Sequence, residues 1–328
     1  MTHAPSAADG CSIRPAWARV GPGFGRRWRG FLLAALIVSA GCRDGEMAGR
    51  KPDLIFGERG MGPGQFLYPR ALAIAPDGCV FIVDKTARIQ RFSSDGRFEM
   101  SWRMPEYQAG KPTGITVDER GRVLVADTHY HRVMIYDRDG NELARFGSDG
   151  RDLGQLTYPT GVVVDREGNY FVSEYGGNDR ITRFDPDFKP VLAFGGPDAG
   201  ETSLSRPQSM ILDEEQMLWV ADACHHRICR FTRDGKLVST FGKPGRARGQ
   251  LQYPYDLAFC PDGTIVVSEY GNNRVQRFDR EGKCLDVWGA AGRRPGEFAC
   301  PWGVAVGLDR RVYVLDSGNN RVQVVKWN

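Results

Sequence analysis

Residues 249–289 read G-Q-L-Q-Y-P-Y-D-L-A-F-C-P-D-G-T-I-V-V-S-E-Y-G-N-N-R-V-Q-R-F-D-R-E-G-K-C-L-D-V-W-G. This stretch holds four short apolar runs, and residues that favour tight turns separate them. The runs cover residues 255–259, 264–268, 275–278 and 284–288. Gly, Asn, Asp and Pro between β-prone runs favour hairpin turns over helices. The stretch therefore predicts an antiparallel meander of four strands.

The same unit occurs six times, with its equivalent residues 43 to 48 positions apart. A proline precedes each first strand: Pro69, Pro112, Pro159, Pro207, Pro254 and Pro301. An acid ends each second strand: Asp84, Asp127, Glu174, Asp222, Glu269 and Asp316. An arginine follows each acid: Arg88, Arg132, Arg180, Arg227, Arg274 and Arg321. A four-stranded repeat of this length predicts an all-β fold, a six-bladed β-propeller of four-stranded antiparallel blades.

The repeat pattern V-x-V-[AS]-[DE]-x-x-N-x-R-[VI]-Q-x-F, followed by D-x-x-G and F-G, resembles the NHL-repeat family over about residues 53–328. In that family, the loop before the first strand and the loop between the second and third strands share one face. The resemblance implies that this face is the binding surface. Propellers host many unrelated activities, so the resemblance implies a fold more than a function.

The amino-terminal residues are of a different kind. Arg26, Arg27 and Arg29 precede an apolar run at 31–40, which is too short to span a bilayer as a helix. The run ends in V-S-A-G-C at residues 38–42, which is similar to the lipoprotein box of bacteria. We therefore predict a lipoprotein signal peptide and lipidation of Cys42. An ordinary signal peptide that is cleaved nearby is the alternative.

This interpretation divides the chain into a signal peptide at 1–42, a polar tether at 43–52 and a propeller at 53–328. It predicts an exported protein that is lipid-anchored to the bacterial cell envelope, on the periplasmic or extracellular side. The lipid anchor would be its one contact with the membrane.

The net charge of +4 belongs to the amino-terminal segment. Residues 1–42 hold five arginines and one aspartate. The rest of the chain therefore carries 39 basic and 39 acidic residues, out of totals of 44 and 40. Proteins that bind nucleic acids usually have a basic excess, so no nucleic-acid partner is predicted.

The sixth repeat contains three strands before residue 328. Residues 53–57, Asp-Leu-Ile-Phe-Gly, match the last strand of a blade, as at 144–147 and 239–242. We therefore predict that residues 53–57 complete the sixth blade and close the ring, which removes an open sheet edge.

The candidate ligand-binding face consists of two sets of residues. The residue after each repeat proline is predicted to open the central channel: Arg70, Thr113, Thr160, Gln208, Tyr255 and Trp302. The loop between the second and third strands adds His129, Tyr175 and Tyr270. Aromatic residues and arginine are effective contact residues for proteins and glycans.

Alternatives to ligand contact exist at several of these positions. Tyr68, Tyr158 and Tyr253, which precede the repeat prolines, are interpreted as spacers that pack beside them. Arg70, Tyr255 and Trp302 are interpreted as contact residues, and replacement of Arg70 or Trp302 by alanine is predicted to weaken binding with little loss of stability.

Other residue patterns favour structural roles. Acids and arginines that recur once per blade are predicted to form structural clamps. His131 and His226 occupy the position of Asn273 and Asn320 in other repeats, so we interpret them as turn residues. Because a catalytic zinc normally has three protein ligands, no metal site and no cofactor are predicted.

The sequence leaves open whether the cysteines form disulfides. An exported protein permits disulfides, and Cys224 and Cys229 share one hairpin. Buried or free thiols are the favoured interpretation.

We predict a binding or scaffold module for a protein, peptide or glycan at the cell envelope. One alternative is an extracytoplasmic lyase or hydrolase that uses the channel mouth. The peptide-amidating lyase of this fold places metal histidines near the first strands, whereas the post-proline residues here include none. A sensor subunit of an envelope complex is the other alternative.

Overall fold

The computed structural model describes residues 50–109 and 111–327. The first described strands are β1 (Leu54–Phe56), β2 (Glu58–Arg59) and β3 (Gln65–Phe66). β2 and β3 form a small parallel pair ahead of the first blade. Within the described ranges, helical structure is confined to four 3₁₀ turns at Thr128–Tyr130, Gly200–Thr202, Ala223–His225 and Ser317–Asn319.

Together with β1, the remaining strands build six antiparallel four-stranded sheets in the described part of the chain. Blade 1 comprises β4 (Pro69–Ile74), β5 (Val80–Asp84), β6 (Arg88–Phe92) and β7 (Phe98–Arg103). Blade 2 comprises β8 (Gly114–Val117), β9 (Val123–Asp127), β10 (Arg132–Tyr136) and β11 (Glu142–Phe146). Blade 3 comprises β12 (Tyr158–Val164), β13 (Tyr170–Tyr175), β14 (Arg180–Phe184) and β15 (Pro190–Phe194).

The second half of the ring follows the same order. Blade 4 comprises β16 (Pro207–Leu212), β17 (Leu218–Asp222), β18 (Arg227–Phe231) and β19 (Leu237–Phe241). Blade 5 comprises β20 (Pro254–Phe259), β21 (Ile265–Glu269), β22 (Arg274–Phe278) and β23 (Cys284–Trp288). Blade 6 comprises β24 (Gly303–Val306), β25 (Arg311–Asp316), β26 (Arg321–Lys326) and β1. The predicted six-bladed propeller is confirmed.

The core lies between the blades. Each pair of neighbouring blades encloses a cluster of buried apolar side chains. The second strands, such as β5 and β21, are buried along their whole length because neighbouring blades cover both faces. The outermost strand β7 alternates between half-buried and exposed residues. This difference explains why second strands have continuous apolar sequences.

The ring closes as predicted. β1 pairs antiparallel with β26, which places Leu54 opposite Val324 and Phe56 opposite Val322. Leu54 and Phe56 pack against the cluster between blades 6 and 1. Ile55, between them, faces outward and is 37% exposed.

The repeated acids and arginines form structural clamps, as predicted. In blade 5, Arg274 Nε donates to Glu269 Oε1 at 2.6 Å. The backbone amide of Gln252 donates to Glu269 Oε2 at 3.0 Å. The Arg274 terminal amino groups donate to the carbonyls of Arg246, Ala247 and Gln250. This clamp therefore fixes the loop that enters its own blade. The other five blades contain the equivalent ion pair.

The interpretation of the two histidines as turn residues is confirmed. His131 and His226 adopt left-handed φ values of 55° and 57°, close to the 54° and 57° of Asn273 and Asn320. His226 Nδ1 accepts a hydrogen bond from the Tyr253 amide at 3.0 Å, as Asn273 Oδ1 does from the Cys300 amide at 2.7 Å. These side chains link one blade to the next.

Candidate functional site

The residue after each repeat proline lies at one end of the central channel. In blades 1, 3, 4 and 5, the pairing of the first two strands shifts register at this residue. A β-bulge of this kind re-aims a side chain. It turns residues such as Arg70 and Tyr255 toward the channel, where both are among the lining residues.

An aromatic wall covers one side of this entrance. It consists of Tyr68, Tyr253, Tyr255, Tyr270 and Trp302, packed in a cluster with Ala223. Tyr255 stacks on Tyr270 with ring centres 4.6 Å apart, and it meets Trp302 at 4.9 Å with an interplanar angle of 65°. The cluster brings together side chains of blades 1, 4, 5 and 6. Such aromatic pairs contribute interaction energy beyond the area that they bury.

Arg70 lies against this wall. Its guanidinium carbon is 4.7 Å from the ring centre of Trp302 and 5.7 Å from that of Tyr68. Its Nε is buried and has no hydrogen-bond partner. None of the described carboxylates is within ion-pair distance of Arg70. Burial lowers the pKa of Arg70, and the charge of Arg206 lowers it further, against the opposing effect of nearby tyrosines.

Arg206 is a second cation at the entrance that the sequence analysis missed. Its guanidinium carbon is 5.0 Å from the ring centre of Tyr175 and 5.7 Å from that of Tyr255. Its Nε is also buried without a hydrogen-bond partner. It occupies the pre-proline position that Tyr68 and Tyr253 hold in their repeats. The one available signal was that a charged residue replaces tyrosine there.

Three other predicted residues differ in their surroundings. Thr113 is buried, and its hydroxyl is 2.8 Å from that of Thr128. Thr160 is 0% exposed, and its hydroxyl donates to the carbonyl of Pro207 at 2.5 Å, which joins blades 3 and 4. Gln208 is buried, and its Oε1 has no partner. Thr160 thus contributes to the ring itself.

His129 borders the entrance on the side of blade 2. Its ring centre is 5.7 Å from that of Tyr158, and its buried Nδ1 has no hydrogen-bond partner. Burial lowers the pKa of His129, and the charges of Lys111 and Arg70 lower it further. Tyr158 also packs on Tyr175 at 5.3 Å. The tyrosines interpreted as spacers therefore also support the residues of the entrance.

The expectation that replacing Trp302 costs little stability is not supported by its surroundings. Its side chain is only 7% exposed and packs against three tyrosine rings. Truncation of such a side chain to alanine costs roughly 3–5 kcal/mol of stability. Arg70, which is half-buried at the entrance, is the better probe of binding.

Asp256 lies deeper in the channel, next to Tyr255. Ser209 Oγ donates to Asp256 Oδ1 at 2.5 Å, and the Val304 amide donates to Oδ2 at 2.9 Å. The carboxyl thereby connects the first strands of blades 4, 5 and 6. Burial raises the pKa of Asp256 to about 7, although hydrogen bonds from Ser209, Val304 and Leu257 favour the charged form. It is a carboxyl that titrates near neutral pH inside the ring.

Two further possibilities concern metals and thiols. In the described part of the chain, no group of three or more His, Cys, Asp or Glu side chains is arranged to hold a metal. Cys229 is a buried free thiol beside Asp222, so the possible bridge across its hairpin is not formed.

Among residues 50–109 and 111–327, no helix has the length and apolar character needed to cross a membrane.

Comparison with known proteins identifies the repeat. The NHL repeat profile matches residues 110–136, 251–278 and 298–325. The protein brain tumor of Drosophila melanogaster is 30% identical over 118 residues, which cover 36% of this chain and 11% of that protein. Peptidyl-glycine alpha-amidating monooxygenase B of Xenopus laevis is 26% identical over 182 residues, which cover 52% of this chain and 18% of that protein. The chain thus spans a small part of these relatives.

Solved structures agree on the architecture. A streptogramin B lyase structure superposes with a TM-score of 0.57 and 17% identity, over 83% of this chain and 86% of that one. At this identity the likeness concerns the fold alone. Together with the observed ring, it leads to one conclusion: the chain is a six-bladed β-propeller, in which three segments match the NHL repeat.

Proposed function

We propose that this propeller is a binding or scaffold module and that the channel mouth holds a protein, peptide or glycan ligand. The channel mouth is defined here as Arg70, Arg206 and the aromatic wall. One observation carries the proposal: two guanidiniums lie against aromatic rings at one entrance, and no carboxylate of the described chain pairs with either. Arginine, tyrosine and tryptophan are the residues that most often dominate binding energy at interfaces.

The relatives do not decide between a binding role and an enzyme. NHL repeats occur in proteins with different activities, and a shared propeller does not transfer an activity. The geometry of the mouth is therefore the main argument. A sensor or scaffold subunit of an envelope complex would use the same surface.

A pull-down tests the binding proposal. We expect the double variant Arg70→Ala/Arg206→Ala to recover at least about tenfold less of a specific partner from crosslinked native envelope, because such arginines act as interface anchors. Arg120→Ala, at an exposed turn between β8 and β9, is the matched control. Partners would be identified by mass spectrometry.

The control should recover the partner as wild type does. Equal recovery by all three proteins would contradict the proposal that the mouth is the binding face. An absence of any specific partner would favour a small ligand or an enzyme over a scaffold.

We also propose that the protein is exported and lipid-anchored to the cell envelope through Cys42. The support is the sequence of the segment, namely its arginines, its apolar run and the small residues before the cysteine. These residues lie outside the part that the structure describes. The test is Cys42→Ser, which we expect to release the protein from the membrane fraction. A variant that still fractionates with membranes would overturn the lipid anchor.

A further inference from the structure

We infer that the channel mouth is a carboxylate-binding site, in which Arg70 pairs with a carboxylate of the ligand and Arg206 supplies a second positive charge. The flat or apolar body of the ligand would then rest on the aromatic wall. This inference rests on the proposed binding function and names the chemical class that the mouth recognises.

The first reason is the uncompensated charge. The six clamp arginines all face a buried acid, for example Arg180 at 2.6 Å from Glu174. By contrast, none of the acids in residues 50–109 and 111–327 pairs with the guanidinium of Arg70 or Arg206. These two come from blades 1 and 4, and the charge of one lowers the pKa of the other. A bound anion would relieve this repulsion.

The second reason is the orientation of the guanidiniums. The Nε of each is buried against the protein, and aromatic rings cover part of each face. The terminal amino groups are the donors that remain for a ligand. Such an edge matches the two oxygens of a planar carboxylate, which it can bind in a bidentate manner.

The other charged groups near the entrance are Lys111 and Asp179, which are of opposite sign. Lys111 and His129 lie on the side of blade 2, and Lys111 adds positive charge. Asp179 is the nearby acid, and its Oδ1 accepts from the backbone amide of Arg206 at 2.6 Å. Its Oδ2 accepts from the Gly177 amide at 3.3 Å. Asp179 is thus engaged with the backbone and leaves the guanidinium of Arg206 unpaired.

The third reason is the shape of the channel below. The first strands approach so closely that a Cβ at Gly114 would collide with the carbonyl oxygen of Thr160. A small anionic group fits at the entrance, whereas the body of a ligand has to remain outside. The aromatic wall, which includes Tyr255, Tyr270 and Trp302, lies at the entrance, where it can contact the body of the ligand. A guanidinium edge can also bind a phosphate in a bidentate manner, so inorganic phosphate is one of the probes of the test.

An NMR titration of the full chain with benzoate and benzamide tests the inference. These probes have nearly the same shape, but only benzoate is charged. The signal is the indole N–H of Trp302, assigned by its loss in Trp302→Phe. We expect benzoate to shift this signal in a saturable way and benzamide to bind at least about tenfold more weakly, as is typical when a charged hydrogen bond is lost.

Three variants locate the site. Arg70→Gln should weaken benzoate binding about tenfold, and Arg206→Gln should weaken it less, since it acts mainly through charge. Arg120→Gln, at the exposed turn between β8 and β9, should leave it unchanged. Glucuronate and N-acetylphenylalanine then distinguish a sugar acid from a peptide carboxylate as the source of the group.

Several results would overturn the inference: equal binding of benzamide, binding of inorganic phosphate without benzoate, or no shift with any probe. The proposed function fails separately. If benzoate does not bind but partner capture still depends on the mouth arginines, the binding role stands without the carboxylate. If benzoate binds but no partner is captured, the mouth recognises a small acid.

Discussion

Deletion of residues 53–57 is expected to lower the midpoint of thermal unfolding by at least about 10 °C. The deletion removes β1, and with it the pairing with β26 and the packing of Leu54 and Phe56 between blades 6 and 1. Loss of two such side chains costs roughly 5–10 kcal/mol, and each kcal/mol lowers the midpoint by about 2–4 °C in a domain of this size. Circular dichroism during heating measures the change.

Point variants on the same strand provide the control. Phe56→Ala removes a ring that lies 5.2 Å from Phe92, so it should reproduce much of the loss. Ile55→Ala changes the outward-facing neighbour and should alter the midpoint by no more than about 2–3 °C, as surface substitutions do. An unchanged midpoint after the deletion would show that β1 does not hold the ring closed.

The stability difference between wild type and Asp256→Asn is expected to change by up to about 4 kcal/mol between pH 4 and pH 8. Burial raises the pKa of Asp256 from 3.8 to about 7 in the folded protein. Each pKa unit corresponds to about 1.4 kcal/mol, and this value is an upper limit because the channel partly solvates the carboxylate. The expected shift in relative midpoint is about 10 °C.

The sign follows from proton binding. Below about pH 4 the carboxyl is protonated in both the folded and the unfolded chain, so its full contribution to stability is present. Between pH 4 and pH 7 the unfolded chain loses the proton while the folded protein retains it. Wild type therefore loses stability as pH rises, and the loss is complete above pH 7. Asparagine cannot ionise, so the variant lacks this slope.

Midpoints measured at several pH values for both proteins test this prediction. The readout is the change of the midpoint with pH and not its value at one pH. The reason is that the amide of asparagine fits the donors around Asp256 less well at every pH. Asp127, whose pKa burial raises to about 6, contributes equally to both proteins. Asp198→Asn, at an exposed position, controls for the change of charge. Parallel profiles for wild type and Asp256→Asn would contradict a near-neutral carboxyl in the channel.

The sequence by itself determined the propeller, its six blades, its closing strand and its clamps. These features depend on local interactions whose residues recur at equivalent positions in each repeat. A turn needs a residue that tolerates left-handed backbone, hence Asn320 or His226 at equivalent positions. A clamp needs an acid and an arginine a few residues apart, such as Glu269 and Arg274. Because such signals are short-range and repeated, they can be recognised without any knowledge of the fold.

The tertiary structure alone decided which side chains meet at the channel mouth. Arg70, Arg206 and Trp302 belong to blades 1, 4 and 6, and only the closed ring brings them to one entrance. The local pattern marks Arg206 only as a charged residue before a proline, which Lys111 also is. No local pattern separates Thr160, which is buried, from Arg70, which is not. The burial that raises the pKa of Asp256 likewise depends on the closed ring, in which strands of three blades surround the carboxyl. The chemistry of the mouth is a property of non-local packing, and a repeat pattern carries no information about it.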